Sequence, residues 1–164
     1  MASGDSLLSI FPGSAEYPAS GYATFDSRNV HPLIDFDDTT DEYVVFRDVL
    51  PNAYDNSGLT VKLIWVAATA TSGNVVWNVA FERINDEGFD IDADGFATAQ
   101  SATAAAPSTS GYAQYTSITF TDGAQMDSLA AGELFRIKVL RDADNASDTM
   151  TGDAELMAVI IEET

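Results

Sequence analysis

The acidic segment at residues 90–95 (DIDADG) carries the pattern in this sequence that points most directly to chemistry. Carboxylates at alternate positions followed by a turn glycine are how a calcium-binding loop begins. An EF-hand would also need a glutamate at the twelfth position, where this chain has Ser101. Two interpretations remain: a calcium site of another kind at Asp90, Asp92 and Asp94, or a solvated loop whose Asp side chains cap turns, which is the commoner case.

A second acidic group follows a predicted strand and consists of Asp142, Asp144, Asn145 and Asp148. The same two interpretations apply to it, because clustered oxygen ligands alone are a weak signal for a metal. Calcium is therefore the one cofactor for which the sequence offers candidates, and the solvated-loop interpretation, which we favour, requires none.

Residue types that serve catalysis are sparse. The sequence has one histidine, His31, followed directly by Pro32, and it has no cysteine and no Gly-x-Ser-x-Gly segment. A nucleophilic triad or a zinc site needs more than this. Carboxylate pairs that could hydrolyse glycosides are so numerous among 26 acidic residues that no single pair is informative. We predict no catalytic residues, no enzymatic activity and a surface or turn position for His31.

The charge balance limits the classes of partner. There are 26 acidic and 7 basic residues among 164, which gives a formal net charge of −19. Nucleic acids and anionic membranes both require clusters of Lys and Arg to neutralise phosphate, and Lys62 and Lys138 are the only lysines. We therefore predict neither a nucleic-acid partner nor a membrane partner.

Alternation of apolar and polar side chains predicts β-strands along most of the chain. Leu59–Ala67 and Val75–Ile84 show it best, and the small, polar residues 69–74 between them predict a β-hairpin. Six further runs follow the pattern, at residues 6–11, 21–25, 43–49, 115–121, 134–140 and 155–161. The low-complexity segment 101–111 (SATAAAPSTSG) predicts an exposed loop.

These strands predict an all-β domain, a jelly-roll-like antiparallel β-sandwich of about eight strands. The links are too short for βαβ crossovers, and a chain of 164 residues suits one domain. Residues 31–164 are expected to form the sandwich. Residues 1–30, with Pro12, Gly13, Pro18 and Gly21, are expected to form an irregular N-terminal arm outside it. Deletion of the first 25 residues is expected to leave the domain folded.

Several segments together resemble small β-sandwich structural proteins of tailed bacteriophages. They are residues 49–51 (VLP), 58–61 (GLTV), 65–77 (WVAATATSGNVVW), 81–83 (FER), 135–137 (FRI) and 141–145 (RDADN), and the resemblance covers roughly residues 45 to 162. These motifs are structural, so the resemblance carries over no functional residue.

The resemblance implies a virion component, and the compact, acidic chain best suits a capsid decoration (cement) protein. Such a protein would sit on the capsid surface as a homotrimer, with the major capsid protein and its own copies as partners. The alternative is a receptor- or carbohydrate-binding β-sandwich module at a fibre tip. Five tyrosines in or near predicted loops could stack on sugars: Tyr17, Tyr22, Tyr54, Tyr112 and Tyr115.

Overall fold

Ten β-strands and two short 3₁₀ turns make up the secondary structure of the computed structural model, which describes residues 3–164. The strands are β1 (Ser6–Ile10), β2 (Thr24–Arg28), β3 (His31–Phe36), β4 (Glu42–Val49), β5 (Leu59–Ala67), β6 (Asn74–Ile84), β7 (Gln100–Ala105), β8 (Gln114–Phe120), β9 (Leu134–Arg141) and β10 (Ala154–Glu163). The turns are Pro12–Ser14 and Ala124–Met126. Within residues 3–164, no helix is long and apolar enough to cross a membrane.

The strands form two antiparallel sheets that pack face to face, which confirms the predicted all-β sandwich. The larger sheet has the order β2-β3-β10-β5-β8, and the smaller sheet has the order β4-β9-β6-β7. Strand β10 pairs with β5 along its whole length. Its other edge is shared, because β3 pairs with residues 154–156 and β1 with residues 159–162.

The core lies between the sheets and is rich in aromatic rings. The ring centroids of Trp65 and Trp77, from opposite sheets, lie 5.9 Å apart, and Phe36 contacts Trp77 edge to face at 5.1 Å. Phe81 and Phe120 make a similar contact at 4.9 Å. Each of these side chains is fully buried, and burial of one large apolar side chain contributes about 1.5–3 kcal/mol to stability.

The predicted hairpin between β5 and β6 is wrong. Both strands exist almost where the alternation placed them, but β5 lies in the larger sheet and β6 in the smaller one. Each strand is paired on both edges by other partners. The short polar link therefore crosses between the sheets, and this places Trp65 opposite Trp77 in the core.

The N-terminal segment differs from the arm we expected. Strands β1 and β2 belong to the larger sheet, and only residues 11–23 between them run irregularly. Residues 1 and 2 of the expected arm lie outside the described part of the chain. Two strands, β3 and β7, were not predicted, and β7 takes up part of the expected loop at 101–111.

Candidate functional site

The outer face of the larger sheet, which points away from the core, holds the best candidate site. Alternation along β5 turns Ile64 and Val66 to this face, and alternation along β8 does the same for Tyr115, the cross-strand partner of Ile64. Leu33 of β3 is almost fully buried there. The middle of the face is therefore apolar, although it is not covered by the second sheet.

Two walls rise beside this face. One is the tight turn between β2 and β3, where Asn29 and Val30 both have positive φ angles of 48° and 66°, as in type I′ hairpin turns. The other is the loop before β8, at Gly111 and Ala113. Between the walls lies a cavity of about 370 Å³, lined by Arg28, Asn29, His31, Leu33, Val66, Gly111, Ala113 and Met157. We call this cavity the polar half of the groove.

A second cavity of about 500 Å³ continues from the first. It is lined by Phe11, Pro12, Gly13, Phe25, His31, Pro32, Ile64, Met157 and Ala158, so the two cavities share His31 and Met157. We call it the apolar half of the groove. It lies where β1 ends and β3 begins along β10, beside the bulge between Leu156 and Ala158.

The positive charge in the polar half is already compensated. Arg28 donates from Nη1 to Glu155 Oε2 at 2.7 Å and to the Ala67 carbonyl at 3.2 Å. The same carbonyl accepts the N–H of Gly111 at 3.1 Å, so Arg28 and the loop before β8 are held at one point. A Cβ at Gly111 would lie 3.0 Å from Arg28 Nη2, so a side chain there would crowd the guanidinium.

Carboxylates cluster around Glu155, the partner of Arg28. Asp35 pairs with Glu155 across β3 and β10 and is the most perturbed of them. Burial, followed by the negative charges of Glu155, Asp153 and Asp26, raises the pKa of Asp35 from its usual 3.8 to about 7. Its Oδ1 is buried without a hydrogen-bond partner. This side of the groove therefore disfavours further negative charge.

Exposed aromatic rings lie in and near the groove. Phe11 and Phe25 line the apolar half and are 59% and 49% exposed, while Tyr115, beside Ile64 on the same face, and Tyr112, in the loop before β8, are each 64% exposed. The remaining predicted tyrosines lie elsewhere. Tyr54 is buried, donates to Asp122 Oδ1 at 3.0 Å and accepts the Gly58 N–H at 3.1 Å.

The other two predicted tyrosines contact the smaller sheet instead. Tyr17 lies over its outer face beside Tyr43, Val45 and Phe96. Tyr22 forms an isolated bridge with Tyr43, and its ring meets that of Tyr17 edge to face at 6.3 Å. Both are therefore on the side of the molecule opposite to the groove and can serve as controls for it.

The predicted calcium candidates lie in the exposed loop between β6 and β7. Asp90 Oδ1 accepts the N–H of Asp92 at 3.0 Å, and Asp94 Oδ2 accepts the N–H of Asp90 at 2.7 Å. In these contacts the carboxylates act as turn caps. The calcium hypothesis for these residues remains a prediction.

Within residues 3–164, carboxylates converge in threes at two other places. One group is Asp37, Asp38 and Asp153, and the other is Asp41, Asp142 and Asp144. The second group includes two residues of the acidic loop that we noted in the sequence. Asp148, from the same loop, is buried against Arg141 instead, at 2.9 Å.

His31 is exposed at the first position of β3, as expected of a surface histidine, and it stands at the junction of the two halves of the groove. Sequence reasoning singled out Tyr112 and Tyr115 but missed Arg28, Phe25 and Met157. The outward position of Tyr115 could have been derived from alternation along residues 115–121. Nothing in the local sequence indicates that the other three meet.

No protein-family model and no curated protein matches the sequence. Solved structures do match, with low identity. The CBM22-2 xylan-binding domain of Xyn10C from Paenibacillus barcinonensis has a TM-score of 0.54 at 16% identity, covering 96% of this chain and 99% of that domain. The C-terminal CBM6 of LamC from Zobellia galactanivorans has a TM-score of 0.51 at 12% identity, covering 95% and 98%. The K3 adhesin domain of Lys-gingipain from Porphyromonas gingivalis has a TM-score of 0.50 at 13% identity, covering 97% and 100%. This chain therefore has the β-sandwich fold found in carbohydrate-binding modules.

Proposed function

We propose that this protein is a non-catalytic carbohydrate-binding domain that holds a neutral glycan in the groove on the larger sheet. The observation that carries the proposal is the groove itself, an open depression with exposed aromatic rings at its border and few hydrogen-bonding side chains inside it. A pyranose ring has an apolar C–H face and a rim of hydroxyl groups. Tyr115 and Tyr112 can stack on the first, while Asn29, His31 and Arg28 can bond the second.

The charges around the groove favour a neutral ligand. Arg28 is paired with Glu155, and the negative charges near Glu155 are strong enough to favour the protonated form of Asp35, in a molecule with a net charge of −19. A glycan that carries carboxylate or sulfate groups would be repelled at this face. The fold shared with the xylan-binding domain and the CBM6 supports the proposal.

Affinity electrophoresis and titration calorimetry against neutral polysaccharides test it, with xylan, mixed-linkage β-glucan, laminarin and hydroxyethyl cellulose as probes. We expect at least one to bind, and we expect Tyr115→Ala to weaken that binding about tenfold, which corresponds to about 1.4 kcal/mol. Tyr22→Ala, which truncates an exposed tyrosine on the opposite side, is the matched control and should leave affinity unchanged. Absence of binding to every probe, or equal losses in both variants, would contradict the proposal.

Decoration of a bacteriophage capsid remains a prediction from the sequence resemblance, because none of the comparisons bears on it. It implies a homotrimer at the capsid surface that binds the major capsid protein. The molar mass in solution from light scattering addresses this separately from glycan binding. A stable trimer would favour it, whereas a monomer would favour a free binding module.

A further inference from the structure

The apolar half of the groove differs chemically from the polar half. Its walls are Phe11, Pro12, Phe25, Pro32, Ile64 and Met157, and none of its lining residues carries a permanent charge. His31, at the junction, is the only lining side chain that can form a strong hydrogen bond. At about 500 Å³ the cavity falls in the size range of small-molecule sites.

Local backbone structure explains why this cavity is open. Strand β3 pairs with β10 up to Leu156, and β1 pairs with it from Val159 onwards. Residues 157 and 158 of β10 are paired with neither strand on that edge, and the chain after Ile10 turns away through the 3₁₀ turn Pro12–Ser14. The pairing of β10 with β5, on its other edge, is interrupted by a bulge at the same place. The gap is therefore a product of strand register and not of a missing side chain.

Two phenylalanine rings border this gap and remain about half exposed, Phe11 at 59% and Phe25 at 49%. A phenyl ring has no polar atom that gains from contact with water, so two such rings around one cavity mark a surface that becomes more stable when covered. They come from different segments, one after β1 and one in β2, and both border the cavity that reaches His31.

An unsubstituted sugar is a poor occupant for this half. Its equatorial hydroxyls would lose water, and each buried hydroxyl without a partner costs about 1–3 kcal/mol. A peptide would meet the same difficulty with its backbone N–H and C=O groups. A flat or branched apolar group has no such groups to leave unsatisfied, and it can lie between the rings of Phe11 and Phe25.

We propose that the ligand is a glycan bearing an apolar substituent, such as an ester-linked aryl group, with the sugar in the polar half and the substituent in the apolar half. This inference rests on the proposed function. The two halves share His31 and Met157, so a group attached to a sugar beside His31 reaches the apolar half without leaving the groove.

The test compares two probes that differ only in the substituent, a feruloylated arabinoxylo-oligosaccharide and the same oligosaccharide after mild saponification. We expect the ester to bind on the order of tenfold to a hundredfold more tightly, as burial of an aromatic group predicts. Phe25→Ala should remove most of this difference while keeping the affinity for the saponified probe. Tyr115→Ala should weaken both probes by the same factor.

Circular dichroism and thermal melting establish that the variants fold, and Phe11→Ala provides a second variant from a different segment. Equal affinity of the wild-type protein for both probes would overturn this inference and leave the proposed function standing. If neither these probes nor the neutral polysaccharides bind, the proposed function fails and this inference fails with it. An ester preference that survives in both Phe25→Ala and Phe11→Ala would also overturn it, because the substituent would then bind elsewhere.

Discussion

Substitution of Arg141 measures how much its contacts contribute to the stability of the sandwich, because this residue is a cation buried between the two sheets. It ends β9 of the smaller sheet and is 0% exposed. All five of its N–H donors are used. Nε and Nη2 donate to the two carboxylate oxygens of Asp148 at 3.1 and 2.9 Å. Nη1 donates to the carbonyls of Phe36 at 3.2 Å and Gly152 at 2.9 Å, and Nη2 also donates to that of Met150 at 2.8 Å.

Replacing Arg141 with methionine keeps much of the side-chain volume but removes the charge and every one of these bonds. The carboxylate of Asp148 is 1% exposed and would stay buried with no cation. Removal of one partner from a buried ion pair typically costs about 3–5 kcal/mol. For a domain of this size that corresponds to a fall in Tm of roughly 6–20 °C, at about 2–4 °C per kcal/mol.

Urea unfolding at neutral pH measures the loss directly. The matched control is Arg47→Met, because Arg47 also pairs with a carboxylate, Glu16, at 3.1 Å, but its side chain is 49% exposed. An exposed pair of this kind contributes at most about 1 kcal/mol. Arg141→Lys should fall between wild type and Arg141→Met, since a lysine offers three donors in place of five. If Arg141→Met loses no more stability than Arg47→Met, the argument from burial is wrong.

Three further predictions concern stability. The folded protein keeps a proton on Asp35 up to about pH 7, whereas the unfolded chain releases it near 3.8, so the free energy of unfolding should fall as the pH rises between these values. Asp35→Asn should flatten that part of the pH profile, and an unchanged slope in pH-dependent urea unfolding would argue against the raised pKa. Gly73→Ala should lower the free energy of unfolding by about 1–3 kcal/mol, because φ is +92° and the new Cβ would lie 2.6 Å from the Thr149 carbonyl oxygen. Gly13→Ala, with open space around the new Cβ, is the control in the same melting experiment. Deleting residues 1–25 removes β1 and exposes an edge of β10, so the truncated protein should melt at a lower temperature and aggregate more readily, and an unaltered melting curve would support the independent arm that the sequence led us to expect.

Alternation predicted strands where side chains face a core on one side and solvent on the other. It failed for β3, where Pro32 and Asp35 interrupt the apolar run, and for β7 (QSATAA), whose small side chains carry almost no hydrophobic signal. Alternation also gave no information on which strands pair with each other. A short link between β5 and β6 predicted a hairpin. The two strands are both largely buried, but they lie in different sheets.

The candidate site could be predicted from the sequence even less completely than the strand pairing. Arg28, Gly111 and Met157 meet because β3 and β10 are neighbours and because the loop before β8 bonds to the end of β5. Strand order sets these proximities, and hydrophobic periodicity does not encode strand order. The aromatic residue Tyr115 was accessible to sequence reasoning, whereas the walls and floor of the groove were not.

The position of β10 has a consequence for the order in which the molecule folds. Its ten residues (Ala154–Glu163) lie at the centre of the larger sheet and pair with β1, β3 and β5, which precede it by roughly 90 to 150 residues in the sequence. During synthesis, those strands leave the ribosome with their central partner still missing. The last strand of the smaller sheet ends at Arg141, so this sheet can assemble first. Its apolar face then stays uncovered until the larger sheet forms. Pairings between such distant segments form slowly. Substitutions in β10 should therefore change the refolding rate and the dependence on chaperones more than substitutions in any other element.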